Sequence, residues 1–512
     1  MATQLQSLQL VAPAFMGLNK DFSGSLLGPE WAVEANNAVF DRSGRLSARK
    51  GWQRITQANR ALDAHIEQAF EFRREDGTTE VVFASNNKLY RSPESPEDIT
   101  GEAEPRGNRW QFANFNGKVI GVQYGHTPVV YDGTGSFTNL TASSGTVPNG
   151  DAILAAFGRV WIVGLDGETI YYSGLLDETD WGSASSGHID MRRIWTRGTD
   201  KIIGLAALGS TLVVFGTQHI IMWVDGSGSE IGLNPRDMYV VDTIEGTGLI
   251  CRDSIQVLAD GDVLYLSNYG LQSLQRVLQH KTNPIVSVAP QVLTYINGFI
   301  QDENLCQMRS AYSPTENFYL LSLPQANRTF VFDTRELSAK GITRVTEWQR
   351  FAPRALLVRE NNDLLFGMNG VFGKYGGHTD NGQPYRFVYR SGWMDLRDTF
   401  GKELSDRLKI LKEVNAIVYI PANASVVFKW AFDFDHSMRS KSVTFSGTNE
   451  LGEWGLGQWG ISEWSGGQTL HDIAVKANGT GQFVQLGIET IVEGAALSLQ
   501  HVNLQAKIGR RA

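Results

Sequence analysis

Phe157-Gly-Arg-Val-Trp-Ile-Val-Gly164 and Thr169-Ile-Tyr-Tyr-Ser173, joined by the turn Asp166-Gly167, open the span that decides the fold. The first run alternates poorly, which predicts a short strand buried on both faces. An acidic loop ends in Asp180-Trp181, and after a polar interval the pattern returns. Ile202-Ile203 and Leu205 to Leu208 lead through Gly209-Ser210 to Leu212-Val-Val-Phe215 and Ile220-Ile-Met-Trp-Val224. Short runs rich in Val, Ile, Trp and Tyr between Gly, Asp and Asn turns predict antiparallel strands. Their recurrence predicts stacked supersecondary units, here read as blades of a β-propeller.

The same unit extends both ways. Upstream, His65 to Phe72, Glu80 to Ala84 and Leu89-Tyr90 turn at Asp76-Gly77 and Asn86-Asn87. Trp110 to Phe115, Lys118 to Val122 and Pro128 to Tyr131 turn at Asn116-Gly117. Downstream come Ser254 to Leu258, Val263 to Ser267 and Leu271 to Leu274, then Met308 to Tyr312, Asn317 to Leu323, Thr329 to Phe332 and Trp348 to Phe351. Ala355 to Val358, Leu364 to Met368 and Val371 to Tyr375 form a weaker last unit. These predict a propeller of about six or seven blades over residues 61–377. One helix interrupts them: Pro290 suits a first helical position, and Val292, Leu293, Ile296, Phe299 and Ile300 follow at helical spacing.

The Gly, Asn and Asp-rich linker from Gly376-Gly377 to Pro384 marks a change of character. Beyond it, Tyr385 to Tyr389, Glu413 to Ile420, Ser425 to Phe434, Gln482 to Ile491 and Ala496 to Ala506 predict longer, cleaner strands. Residues 378–512 are therefore expected to form a C-terminal antiparallel β-sandwich. Within it, residues 450–467 carry Trp454, Trp459 and Trp464 at a constant interval that suits neither helix nor strand. A projecting glycine-rich loop is expected, its rings stacked on each other, placed at a subunit contact or lining a channel. Residues 1–60 do not read as a blade and are expected to form an N-terminal arm and a hairpin around Ser43-Gly44. Arg42, Arg45, Arg49, Lys50 and Arg54 form its positive cluster. They read either as a solvated strand edge that prevents unwanted pairing or as a basic contact patch for a partner or DNA.

At 512 residues the chain predicts roughly two to four domains. Hydrophobic residues at 42% and charged residues at 20% allow a buried core. The net charge of -8 lacks the basic footprint of a protein that grips nucleic acid. Cys251 and Cys306 have no CxxC neighbour and read as reduced structural thiols. The start, Met1-Ala-Thr-Gln-Leu-Gln, has no secretory pattern and no run is long enough to span a bilayer, so a soluble protein without stable membrane insertion is expected.

The described enzyme motifs are missing: there is no Asp-box turn, no Gly-x-Ser-x-Gly elbow, no Walker loop and no His-Glu-x-x-His. The histidines, among them His65, His126, His188 and His219, show no pair at ligand spacing. Asp166, Asp242, Asp260 and Asp333 sit in turns or at strand ends, where Asp serves backbone hydrogen bonding. No catalytic residue, cofactor or metal site is expected, and the protein is not expected to be an enzyme.

In the order of its parts the chain resembles the tail nozzle proteins of short-tailed bacteriophages, also called tail tubular protein B or packaged-DNA stabilisation proteins. The residues that carry this are Gly17-Leu-Asn19, Glu34-Ala-Asn-Asn-Ala-Val-Phe-Asp41 and Arg49-Lys-Gly-Trp52. They continue through Gly158-Arg-Val-Trp-Ile162, Ile170-Tyr-Tyr-Ser173, Asp180-Trp181 and Val263-Leu-Tyr-Leu-Ser-Asn-Tyr-Gly270 to the Trp454 to Trp464 loop. The resemblance implies a non-catalytic virion protein assembled in the host bacterial cytoplasm. Its members form a homo-oligomeric ring, a hexamer, below the head–tail adaptor proteins, meeting tail fibre or tailspike proteins. Double-stranded DNA passes through the lumen without sequence readout, and the ring retains or releases the packaged genome. A closing heterologous interface would build such a ring, and an acidic lumen would let DNA slide. The alternative is a glycan-binding β-propeller lectin or receptor-binding tail component, with the three tryptophans as sugar platforms.

Overall fold

The computed structural model describes residues 5–11, 15–41, 44–102, 109–226, 234–280, 286–335, 342–395, 407–421, 424–445 and 468–511. The chain is all-β: a seven-bladed propeller carries a β-sandwich, and the two share a sheet.

Blade 1 consists of Ile66–Arg73, Thr79–Ser85, Lys88–Arg91 and Glu97–Asp98, and blade 2 of Gln111–Phe115, Lys118–Val122, Val129–Tyr131 and Thr138–Asn139. Blade 3 is Gly150–Ala156, Arg159–Gly164, Thr169–Tyr172 and Gly187–Asp190; blade 4 is Ile202–Leu208, Thr211–Gly216, His219–Asp225 and Met238–Glu245. Blade 5 has three strands, Gln256–Val257, Val263–Ser267 and Gly270–Ser273. Its chain then turns into a short helix, Leu274–Gln279, which the Ser273 hydroxyl caps by accepting from the Arg276 amide at 3.2 Å. Blade 6 holds Arg309–Ser313, Phe318–Leu323, Arg328–Asp333 and Arg344–Gln349.

Blade 7 takes Ala355–Val358, Leu364–Gly367 and Phe372–Tyr375 from its own stretch of chain. Its fourth strand is Trp52–Arg54, from near the other end of the sequence, with Trp52 opposite Tyr375. This borrowed strand fastens the ring.

Closure is visible in the cores. A separate apolar cluster fills each gap between consecutive blades, including Ile66, Phe83, Leu365 and Phe372 between blades 7 and 1. The poor alternation of Arg159–Gly164 has this cause. All six residues are buried: Val160 and Ile162 face the cluster shared with blade 2, while Trp161 and Val163 face the one shared with blade 4. Phe157-Gly158, expected as the start of this strand, is instead the hairpin turn, with φ of 56° and 68°. The expected helix is present as a tight turn over Pro290–Val292 followed by Leu293–Ile300, burying Val292 and Ile296 beside blades 5 and 6.

Two layers form the sandwich. One contains Trp31–Asn36, Tyr385–Ser391, Val484–Val492, Ser425–Phe432 and Arg439–Thr444; the other contains Gln468–Lys476, Arg407–Pro421, Ser498–Arg511, Leu46–Ala48 and Ala38–Phe40, with Leu5–Val11 on its edge. Between them Phe387, Phe428, Trp430 and Ile488 meet Val414, Val418, Val502 and Leu504 in one buried cluster.

The expectation of an arm and hairpin at residues 1–60 needs correction. The hairpin exists, with Ala38 opposite Ala48, but the stretch is woven into both bodies. Gly17 pairs in parallel with Val345 of blade 6 and Trp31, and Ala35 pairs with Tyr389 of the sandwich. Blade 6 and one sandwich layer thus become one ten-stranded sheet. Gly17 is required there: its φ is +91°, and a Cβ would lie 2.8 Å from the Val345 carbonyl. The physical reason is that an isolated edge strand leaves its N–H and C=O groups unpaired, and these strands satisfy them on both bodies.

Candidate functional site

The seam between propeller and sandwich collects the residues that the sequence singled out at the N-terminus. Arg49 is 1% exposed. Its Nη1 and Nη2 donate to the two Asp380 carboxylate oxygens at 2.8 and 2.6 Å, and Nε donates to Asn37 Oδ1 at 3.1 Å. The guanidinium lies 4.2 Å from the Tyr385 ring centroid, 4.9 Å from Phe351 and 5.6 Å from Trp348. The Tyr385 hydroxyl donates to the Arg49 carbonyl, and burial raises its pKa. One side chain therefore joins the N-terminal hairpin, blade 6, the linker and the sandwich. A planar fork with delocalised charge suits this combination of carboxylate and ring contacts.

The basic cluster does not converge on one outward patch. Arg45 pairs with Asp41 at 2.6 Å and lies over Tyr419, Lys50 pairs with Glu316 of blade 6, and Arg54 donates to the Thr56 carbonyl at 2.7 Å. Arg42 lies outside the described residues, as does the whole loop of Trp454, Trp459 and Trp464.

The sequence reading missed a second charged centre, on the propeller axis. Arg252 and Asp253 precede the first strand of blade 5, and Arg309 begins blade 6. Arg252 reaches the Asp151 carbonyl of blade 3 and the Trp110 carbonyl beside blade 2, the latter at 3.2 Å. Arg309 donates to the Glu67 carbonyl of blade 1 at 2.9 Å and to Asp253 at 3.3 Å. Burial alone would raise the Asp253 carboxyl, and the Arg252 and Arg309 charges together hold it below its ordinary range. Blades 2 and 5, and blades 1 and 6, are not neighbours, so these arginines bridge across the axis.

Asp166 accepts from the Glu168 and Thr169 amides at 3.0 and 3.1 Å, the turn role expected of it. Asp333 binds Arg335 and Arg344, and the latter guanidinium lies over Phe40. His219 is buried against Asp200 at 2.9 Å, where Asp200 also accepts the amides of Thr217, Gln218 and His219 itself. Among the described residues no group of three His, Cys, Asp or Glu side chains is placed to hold a metal ion. No helix among them is long and apolar enough to cross a membrane.

No family model matches the chain, and no curated protein matches it. Among solved structures it is similar to the extracellular domain of a one-component system from B. thetaiotaomicron, with a TM-score of 0.41 and 12% identity over 80% of this chain. The chain spans 58% of the length of that protein. It is also similar to YCF48 bound to D1 peptide, with a TM-score of 0.35, 12% identity and coverage of 63% of this chain and 94% of the other. Kluyveromyces lactis Hsv2 follows at a TM-score of 0.33 and 9% identity, covering 53% of this chain and 83% of that one.

Proposed function

We propose that the chain is a tail nozzle protein of a short-tailed bacteriophage, a non-catalytic component that works as a ring of about six copies. The observation that carries this reading is the placement of the resembling N-terminal motifs. Gly17-Leu18 and Glu34 to Asn36 lie in the sheet that blade 6 shares with the sandwich, Arg49 pins the seam, and Trp52 fastens blade 7. These N-terminal motifs thus serve one purpose, locking two bodies into a rigid building block. The bridged propeller axis agrees with a DNA passage formed between copies rather than through the propeller itself. Ring contacts through the sandwich and N-terminal strands would leave the propellers outside, and the acidic balance of the chain would keep DNA sliding.

Native mass spectrometry and cryo-microscopy of the full-length protein, alone and with head–tail adaptor rings, test the proposal. Closed rings stacked on the adaptor are expected. Monomers that remain monomers in the presence of the adaptor, at any concentration tried, would end it.

A further inference from the structure

On the rim of the propeller an open groove of about 930 Å³ runs between blades 2 and 3. It lies under the segment that leads from Thr138–Asn139 to Gly150, and its floor is the turn after Arg159–Gly164 together with Tyr171. A second groove of about 550 Å³ continues it along blade 2, and Thr141 lines both. The first alone is at the upper end of the roughly 300–1,000 Å³ typical of ligand sites.

Its chemistry is selective. The lining of the first groove contains no lysine or arginine, and Lys118, which lines the second, is paired with Glu178 at 2.6 Å, so neither groove offers an uncommitted cation to phosphate, sulfate or a nucleic-acid backbone. The apolar part includes Leu165, which is 39% exposed. Thr146, Asn149 and the Tyr171 hydroxyl face the groove, and none of them has a hydrogen-bond partner among the described residues. Most turn-forming side chains nearby are committed, as Asp177 is to Thr179 and Asp180 to Ser183. Asp166 is immobilised by the amides of its own turn and by the Thr169 hydroxyl at 2.7 Å, and its carboxylate keeps acceptor capacity. The Tyr171 ring packs onto bare backbone, because a Cβ at Gly164 would lie 2.9 Å from Tyr171 Cε2.

We infer that this groove binds a neutral oligosaccharide. A sugar has apolar C–H faces that stack on an aromatic ring and vicinal hydroxyls that both donate and accept. The Asn149 amide, the Thr146 hydroxyl, the fixed Asp166 carboxylate and a half-buried tyrosine match that surface. A continuous pair of grooves fits a chain of several sugars rather than one. This assignment is independent of the ring proposal, since a rim site exists on each copy whatever assembly forms.

The test begins with labelled full-length protein on a printed array of neutral and acidic glycans, followed by titration calorimetry with the strongest binder and its constituent monosaccharide. A neutral chain should bind, with the monosaccharide at least tenfold weaker. Tyr171→Ala should weaken binding by about tenfold, the factor for losing a stacking contact. Asn149→Ala and Thr146→Ala, at exposed positions that leave the fold intact, should each weaken it several-fold, so the test survives a misfolded Tyr171 variant. Val241→Ser on blade 4 should change nothing. Absence of any bound glycan, preference for acidic glycans, or binding indifferent to all three groove variants would overturn the inference.

Discussion

Breaking the Arg49–Asp380 pair from its two sides should have unequal effects, and the inequality follows from burial. Arg49 has 2% of its side chain exposed, whereas Asp380 has 23%. Removing one partner of a buried ion pair costs about 3–5 kcal/mol, mostly because the other charge is stranded. In Arg49→Met the stranded group is Asp380, which water already reaches, so the loss should fall near the low end, about 3 kcal/mol. In Asp380→Ala the stranded group is a guanidinium enclosed by Trp348, Phe351 and Tyr385. Its loss should approach the high end, about 5 kcal/mol. The double variant Arg49→Met/Asp380→Ala strands no charge and should be more stable than Asp380→Ala alone. Urea unfolding by tryptophan fluorescence reads the order of the midpoints, and limited proteolysis of the 376–384 linker reports opening of the seam in a chain too large for a two-state treatment. Single variants both within about 0.5 kcal/mol of the parent would refute the reasoning, as would Arg49→Met being the more damaging.

Other consequences are simpler to check. Gly51→Ala would drive a Cβ into the Thr379 carbonyl, so the fastening strand must shift, with about 1–3 kcal/mol of stability lost and a lower denaturant midpoint. Native protein at pH 8 should titrate one fast thiol with Ellman's reagent, Cys306, because Cys251 is buried and its thiol is pushed up to about 12; the second should appear only on unfolding. The His378 imidazole is held below its ordinary value by burial and then by the charge of Lys50. The unfolded form therefore gains a proton first as pH falls through about 6.5. Stability should drop across that window, and His378→Gln should flatten the slope measured between pH 7 and pH 5. Arg309→Met should leave Asp253 with Arg252 as its remaining ion-pair partner and remove the link to the Glu67 carbonyl, lowering the thermal midpoint, with hydrogen exchange increasing at the starts of blades 1 and 6.

The blades were legible because their information is local. Asn116-Gly117, with φ of 49° and 65°, sits in a two-residue hairpin turn and reads directly from the residue types. The run Arg159–Gly164 reads as a doubly buried strand for the same reason, since a blade packs both faces against neighbours. The candidate site was less legible. Arg49 stands in a stretch of basic residues and looks like its neighbours in sequence, yet it alone is swallowed by the seam while Arg45, Lys50 and Arg54 stay nearer the surface. Nothing local separates them, because its partners Asp380 and Tyr385 are more than three hundred positions away. The arginines on the axis escaped for a related reason: their acceptors are backbone carbonyls of distant blades, which have no sequence identity to read.

Taken alone, the sequence determined most of the blade strands and their turns, that they repeat, and that the character changes near Gly376. Periodicity and turn chemistry act over a few residues and survive in any context. Only the tertiary structure decided that the blades number seven, that Trp52–Arg54 completes the last, and that residues 31–36 fuse blade 6 to the sandwich. Each of those outcomes is a choice of partner for an open strand edge. Every edge offers the same row of N–H and C=O groups, so the choice rests on which distant faces can be buried together, and that is settled when the whole chain packs.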